Sequence, residues 1–184
     1  MSKCAGCHNA GGGCCNCHDS GIFISLHDAL RVSKATGLKI SEFAVFAKAP
    51  DEWLEELKTN KDSFYDAYVD GKILQLKLDD NGCVFLGPTG CKIFNDRPGL
   101  CRLFPFTYDI ENDKVTIEML NDENCDLTGL SISEALKDLN ENENDFKEFL
   151  KRFDKEYNFY FKYAKRISEG APFEEIIKEF KITV

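Results

Sequence analysis

The chain has 184 residues, with 23 Lys and Arg against 32 Asp and Glu for a formal charge of −9. That balance argues against a nucleic-acid binder working through a broad basic surface, because phosphate contacts need clustered cations. A chain of this length buries roughly 70% of its unfolded surface without staples, so the nine cysteines are not explained as a disulfide framework.

The opening residues MSKCAGCHNA hold no apolar segment of the secretory type, and no window approaches about 18 apolar residues. A cytoplasmic protein with reduced thiols, no membrane partner and no nucleic-acid partner is expected. One domain over 1–184 is expected, divided into a cysteine-cluster region at 4–130 and a helical extension at 131–184.

Cys4, Cys7, Cys14, Cys15 and Cys17 sit in a run with Gly6, Gly11, Gly12, Gly13 and Gly21. Such a run suits neither helix nor strand, but it lets the backbone wrap closely and aim several sulfurs at one point. Ser25 with Asp28 three residues on reads as a capping box for a helix over 26–36, with Leu26, Ala29, Leu30 and Val32 near one face and Gly37 as its stop. Ser41 is expected to cap a second helix through Phe43, Val45, Phe46 and Ala47 that ends at Pro50. Asp51 then starts a third through Trp53, Leu54 and Leu57.

Within 65–78, Asp70-Gly71 is a hairpin signal, and Leu74, Leu76 and Leu78 alternate with Gln75 and Lys77. A second hairpin is predicted from 106–110 and 115–120 across the polar turn Glu111, Asn112, Asp113, Lys114. The turn-rich stretch 81–104 between them carries Cys83, Cys91 and Cys101, and Cys125 follows the second hairpin. No internal repeat is read. Ser131 is expected to cap a helix to about Leu139, and Asn140 to Asp145 reads as an interhelix turn. From Asn144 onward Phe146, Phe149, Leu150, Phe153, Tyr157, Tyr160, Ala164 and Ile167 recur at three- and four-residue steps, a long amphipathic helix closed by Gly170. Pro172 opens a last helix through Phe173, Ile176, Ile177 and Phe180. The fold class is α+β and predominantly helical: small hairpins and irregular cysteine-rich loops packed on a helical scaffold with a long C-terminal helix.

Four readings of the cysteines compete. Disulfides are disfavoured by the odd count and the chain length, and unrelated thiols would not place five cysteines within fourteen residues. Cys4-Ala-Gly-Cys7-His8 and Cys14-Cys15-Asn16-Cys17-His18 both match the c-type haem attachment pattern, but haem attachment leaves five cysteines unused and ranks third. Thiolate chelation by both regions accounts for most, since soft sulfur selects zinc, copper(I) or iron–sulfur clusters. Eight thiolates suffice for two tetrathiolate centres, with Cys17 left as a spare.

The N-terminal Cys4-x-x-Cys7 and Cys14-Cys15 pair, followed by Cys83, Cys91, the string Arg97-Pro98-Gly99-Leu100-Cys101-Arg102-Leu103-Phe104-Pro105 and Cys125, resembles the YkgJ-type cysteine-cluster family over about residues 4 to 130. The resemblance implies a zinc- or iron-chelating domain, often described as iron–sulfur. Two departures stand: six residues rather than two separate Cys7 from Cys14, and Cys17 lies outside the pattern.

An all-thiolate centre is anionic, so nearby cations should stabilise it. Arg97, Arg102 and Lys92 lie close to Cys91 or Cys101, with Arg97 and Arg102 the expected cofactor-binding pair and Phe94, Phe104 and Phe106 the expected shield. Zinc sites often use two Cys-x-x-Cys knuckles, and residues 83–125 contain none. An iron–sulfur cluster, 4Fe–4S foremost, is therefore favoured, with zinc the alternative. Three histidines leave little acid–base capacity, His27 reads as a satisfied helix residue, and no nucleotide loop or Ser-His-Asp set is found. Whether the chain is an enzyme stays open. The functional expectation is a metalloprotein with one or two centres in a redox or metal-dependent role and a redox or protein partner; its rival is a structural-zinc module binding a partner through the long C-terminal helix.

Overall fold

The structure is a computed structural model that describes residues 21–61, 63–80, 82–120, 125 and 127–184. The N-terminal glycine-rich run, and the loop read there, lie outside those residues. The fold is α+β and mostly helical.

Helix α1 (Leu26–Thr36) forms as its caps dictate. Ser25 Oγ accepts the Asp28 N–H at 3.0 Å and Asp28 Oδ2 accepts the Ser25 N–H at 3.1 Å, while Gly37 closes the helix in the left-handed region at φ 74°. The second helix departs from the sequence reading: α2 spans only Ile40–Phe43 with Lys39 rather than Ser41 at its N-cap, and Ala44–Lys48 is strand β1. Ala49 precedes Pro50, which disfavours helical backbone there. Residues 44–48 also find an antiparallel partner in β2 (Lys72–Leu76), in register from Ala44↔Leu76 to Lys48↔Lys72. Helix α3 (Asp51–Thr59) follows as expected.

Asp70 and Gly71 turn the chain at positive φ, 52° and 71°. The segment before them is a 3-10 helix (Ser63–Ala67), so the predicted local hairpin is reduced to a single bridge between Val69 and Lys72. Strand β2 is flanked by β1 on one edge and by residues 22–24 on the other, where the Ile24 N–H donates to Leu74 O at 3.0 Å and the Leu76 N–H to Ile22 O at 2.8 Å. Strands β3 (Leu78–Asp79) and β4 (Gly82–Cys83), then β5 (Leu86–Gly87) and β6 (Gly90–Cys91), form two small hairpins. A 3-10 turn (Phe94–Asp96) and helix α4 (Gly99–Leu103) lead to the predicted hairpin of β7 (Phe106–Glu111) and β8 (Lys114–Met119). Asn112 and Asp113 both take positive φ, 51° and 62°, as a two-residue hairpin turn with right-handed strand twist requires.

Helices α5 (Ile132–Asp138), α6 (Glu143–Ser168) and α7 (Phe173–Glu179) complete the chain. The 26 residues of α6 run about 39 Å and serve two cores. Tyr160, Tyr163, Ala164 and Ile167 pack with residues 22–24, α1, β1, β2 and α7, whereas Phe146, Phe149, Leu150 and Phe153 pack with α5 and the β7–β8 hairpin. The apolar stripe of the helix is thus covered within the chain. Its tyrosines also satisfy strand and helix backbone: Tyr160 Oη accepts the Leu74 N–H at 3.1 Å and Tyr163 Oη the Leu26 N–H at 2.9 Å. Burial pushes both phenols well above the ordinary tyrosine range. Among the described residues no helix is long and apolar enough to cross a membrane.

Candidate metal centre

Residues 77–84 and 85–92 form an eight-residue sequence repeat that the sequence reading missed, and their described residues pair alike. Each unit reads Leu-x-x-x-Gly-Cys, as Leu78 to Cys83 and again as Leu86 to Cys91. Leu78 pairs with Cys83 and Leu86 with Cys91. Equivalent bonds close the two units, Val84 N–H to Lys77 O at 3.1 Å and Lys92 N–H to Phe85 O at 2.9 Å. Gly82 and Gly90 stand at φ 107° and 109°, a region that only glycine enters without strain. The repeat therefore delivers two thiols from equivalent positions, Cys83 buried within the first core and Cys91 packed against it.

Cys101 reaches the same core from α4, and the turn before it is gripped from three sides. The Gly99 N–H donates to Asp28 Oδ1 at 2.9 Å, and Pro98 is buried. A β-carbon on Gly99 would stand 2.2 Å from Phe153 Cδ2, so the ring of α6 lies flush against the turn. Glu141, in the loop between α5 and α6, binds both arginines of the motif. Arg102 Nε and Nη2 each donate to it at 2.6 Å, and Arg97 Nη2 lies 3.6 Å from Oε1. Arg97 also stacks 4.2 Å over the Phe94 ring and Arg102 lies 4.3 Å over Phe149. Glu141 thus ties Arg97 and Arg102 together beside Cys101, while the Asp28 carboxylate faces the same turn at Gly99.

Cys125 packs against the second core instead. Of the expected shield, Phe106 is a second-core residue against Phe146, with ring centroids 5.3 Å apart, and Phe94 lies under Arg97. Lys92 is exposed. His27 falls in α1 as expected, but its Nδ1 is buried without a hydrogen-bond partner, which corrects the view of it as satisfied. Burial lowers its pKa, with Glu156 acting in the opposite direction.

Cys4, Cys7, Cys14, Cys15 and Cys17, together with His8 and His18, lie outside the described residues. Among the described residues no three His, Cys, Asp or Glu side chains converge to hold a metal ion. In donor chemistry Cys83, Cys91 and Cys101 suit a thiolate-ligated centre, being soft ligands that belong to or pack against one core, and completion of a four-ligand site falls to residues outside this set. The sequence reading missed Asp28 and Glu141 as parts of the site. Asp28 was visible only as a helix cap, and Glu141 stood in a polar run with no periodicity to mark it.

A family model, CxxCxxCC, described as a putative zinc- or iron-chelating domain, matches residues 3–126. No curated protein and no solved structure matches the chain.

Proposed function

From its membership of the CxxCxxCC family, we propose that the chain is a cysteine-cluster metalloprotein holding one or two thiolate-ligated centres, iron–sulfur of the 4Fe–4S kind, in a redox or metal-dependent role with a redox or protein partner. Metal chelation is the family's property; the choice of iron–sulfur is this reading's own. The observation that carries it is that Cys83, Cys91 and Cys101, from strands β4 and β6 and helix α4, all pack with the first core. Zinc sites are commonly closed by a pair of Cys-x-x-Cys knuckles, and the sequence from Cys83 to Cys125 supplies single thiols at irregular intervals instead. Arg97 and Arg102 flank Cys101 in sequence, and cations beside an all-thiolate centre favour its anionic charge.

Bound there, an iron–sulfur centre would supply one-electron chemistry. The chain's own contribution is to hold Cys101 rigidly through Gly99 and to present Cys83 and Cys91 in matched hairpins. Anaerobic purification tests the reading through the visible spectrum and through iron, zinc and acid-labile sulfide per chain. Broad visible absorption with stoichiometric iron and sulfide is expected; a colourless zinc protein overturns the iron–sulfur reading in favour of structural zinc, and a sharp Soret band overturns it in favour of haem. Cys101→Ser should abolish or alter the centre and Cys17→Ser should be mild, and the reverse outcome refutes the ligand assignment.

A further inference from the structure

Asp28 is 1% exposed, yet its carboxylate serves two separate parts of the chain. Oδ2 accepts the N–H and Oγ–H of Ser25 at 3.1 and 3.2 Å, which is the capping box. Oδ1 accepts Arg31 Nη2 at 2.6 Å and the Gly99 N–H at 2.9 Å. Arg31 is fixed in turn by two bonds to Glu156 on α6, at 2.8 and 2.7 Å. Burial works against the charge of Arg31, but Glu156 and Asp28 outweigh it and hold the guanidinium firmly protonated. A helix cap alone needs none of the Oδ1 contacts, because capping is complete at Oδ2.

The segments joined are the helix that follows the N-terminal cysteine run and the turn just before Cys101. Residues 22–24 lock onto β2 and run straight into Ser25 and α1, so Asp28 stands on the first turn of the helix that follows the N-terminal cysteine run. Gly99 stands two residues before Cys101. We propose that Asp28 is a positioning residue for the metal centre, its carboxylate fixing the exit of the N-terminal cysteine segment against the turn that bears Cys101. The proposal rests on the metal-binding reading above.

Asp28→Asn is the sharpest perturbation. Its amide offers one acceptor oxygen, so whichever way it is turned, either the Ser25 donors or the Arg31 and Gly99 donors face an NH2 group. Ser25→Ala is the control: it removes the capping hydroxyl, weakens the helix start, and leaves Oδ1 with Gly99. The whole chain is purified anaerobically with the metal it holds. Three quantities are read: metal per chain, the rate of metal transfer to an excess chelator, and the thiolate-to-metal charge-transfer spectrum, taken on the cobalt(II)-exchanged protein if the native metal is colourless.

Asp28→Asn should release metal at least about 10-fold faster, which corresponds to about 1.4 kcal/mol, and shift the charge-transfer band. Ser25→Ala should melt earlier yet keep the parental release rate within about twofold and the parental band. Wild-type release and spectrum in Asp28→Asn, or equal acceleration by Ser25→Ala, overturns the proposal while the metal-binding reading stands. A parental chain that takes up no metal overturns both. If Asp28→Asn does not fold, amide exchange in the parental chain decides. By reciprocal linkage chelation should speed exchange at Gly99 and Ser25 more than in the β7–β8 hairpin, and a uniform change refutes the coupling.

Discussion

Gly99→Ala isolates the fit between the motif and the helical scaffold. The added β-carbon would stand 2.2 Å from Cδ2 and 2.5 Å from Cε2 of Phe153, against an optimal carbon–carbon separation of about 3.5 Å, so the ring or the turn must retreat by roughly 1.3 Å. Phe153 cannot yield to solvent. It is 5% exposed, and its ring packs among Phe149, Tyr157 and Tyr108 with centroids 5.8, 6.3 and 6.2 Å away. Overpacking of this kind costs about 1–3 kcal/mol. An opposing gain of about 0.4–1 kcal/mol comes from the smaller entropy of the unfolded alanine chain, and the net is a loss of roughly 0–2.6 kcal/mol, centred at about 1.3 kcal/mol. For a chain of this size each kcal/mol lowers the melting temperature by about 2–4 °C. Denaturant titration of the purified chain, followed by far-ultraviolet circular dichroism, measures the loss. The Phe153→Leu background then tests its cause: with the ring gone, alanine at 99 should cost less by at least about 0.5 kcal/mol. A stabilising Gly99→Ala, or the same effect in both backgrounds, refutes the close-approach argument.

Glu141→Gln should lower stability by roughly 1.5–3 kcal/mol, the usual worth of hydrogen bonds to a charged group, because one carboxylate serves Arg97 and Arg102 together; an unchanged denaturation midpoint would contradict this. Tyr163→Phe removes the acceptor of the Leu26 N–H and should cost about 1–3 kcal/mol, the penalty for an orphaned buried donor, as seen in chemical denaturation. The folded-state pKa of His27 lies below its ordinary value of 6.5 because the imidazole is buried near Arg31, despite Glu156 and Asp28. The unfolded chain then takes up the proton first as pH falls, so stability is held above about pH 6.5 and lost below it. His27→Gln should flatten the stability profile between pH 7 and pH 5, and an equally steep profile would remove His27 as its source.

Helices with both ends marked in the sequence were legible. Ser25, Asp28 and Gly37 bound α1, Ser131 caps α5, and the apolar spacing from Phe146 to Ile167 follows the buried face of α6. Residues 44–48 were not, because five residues of mixed apolar character satisfy a helical or an extended reading equally. The choice is made by β2, a partner distant in sequence. The same reason dissolves the hairpin read at 65–78: Asp70-Gly71 turns the chain, but β2 is claimed on both edges by residues 22–24 and 44–48.

The cysteine site divides along the same line. The sequence alone leads one to expect Cys83, Cys91, Cys101 and Cys125 as one block around the string at 97–105, whereas the fold packs the first three with the first core and Cys125 with the second. How the string is held was not legible, because the holding groups come from elsewhere in the chain: Asp28 from α1, Glu141 from a loop and Phe153 from the long helix. Four residues of the string besides its cysteine then have a physical reason in the fold. Arg97 and Arg102 share a carboxylate, Pro98 is buried, and Gly99 combines a donor for Asp28 with the lack of a side chain against Phe153. A string that only ligated metal would need its cysteine and little more. The contacts around this one make it a joint between scaffold and thiol, so substitutions on α1 or α6 should reach the centre as surely as substitutions beside Cys101.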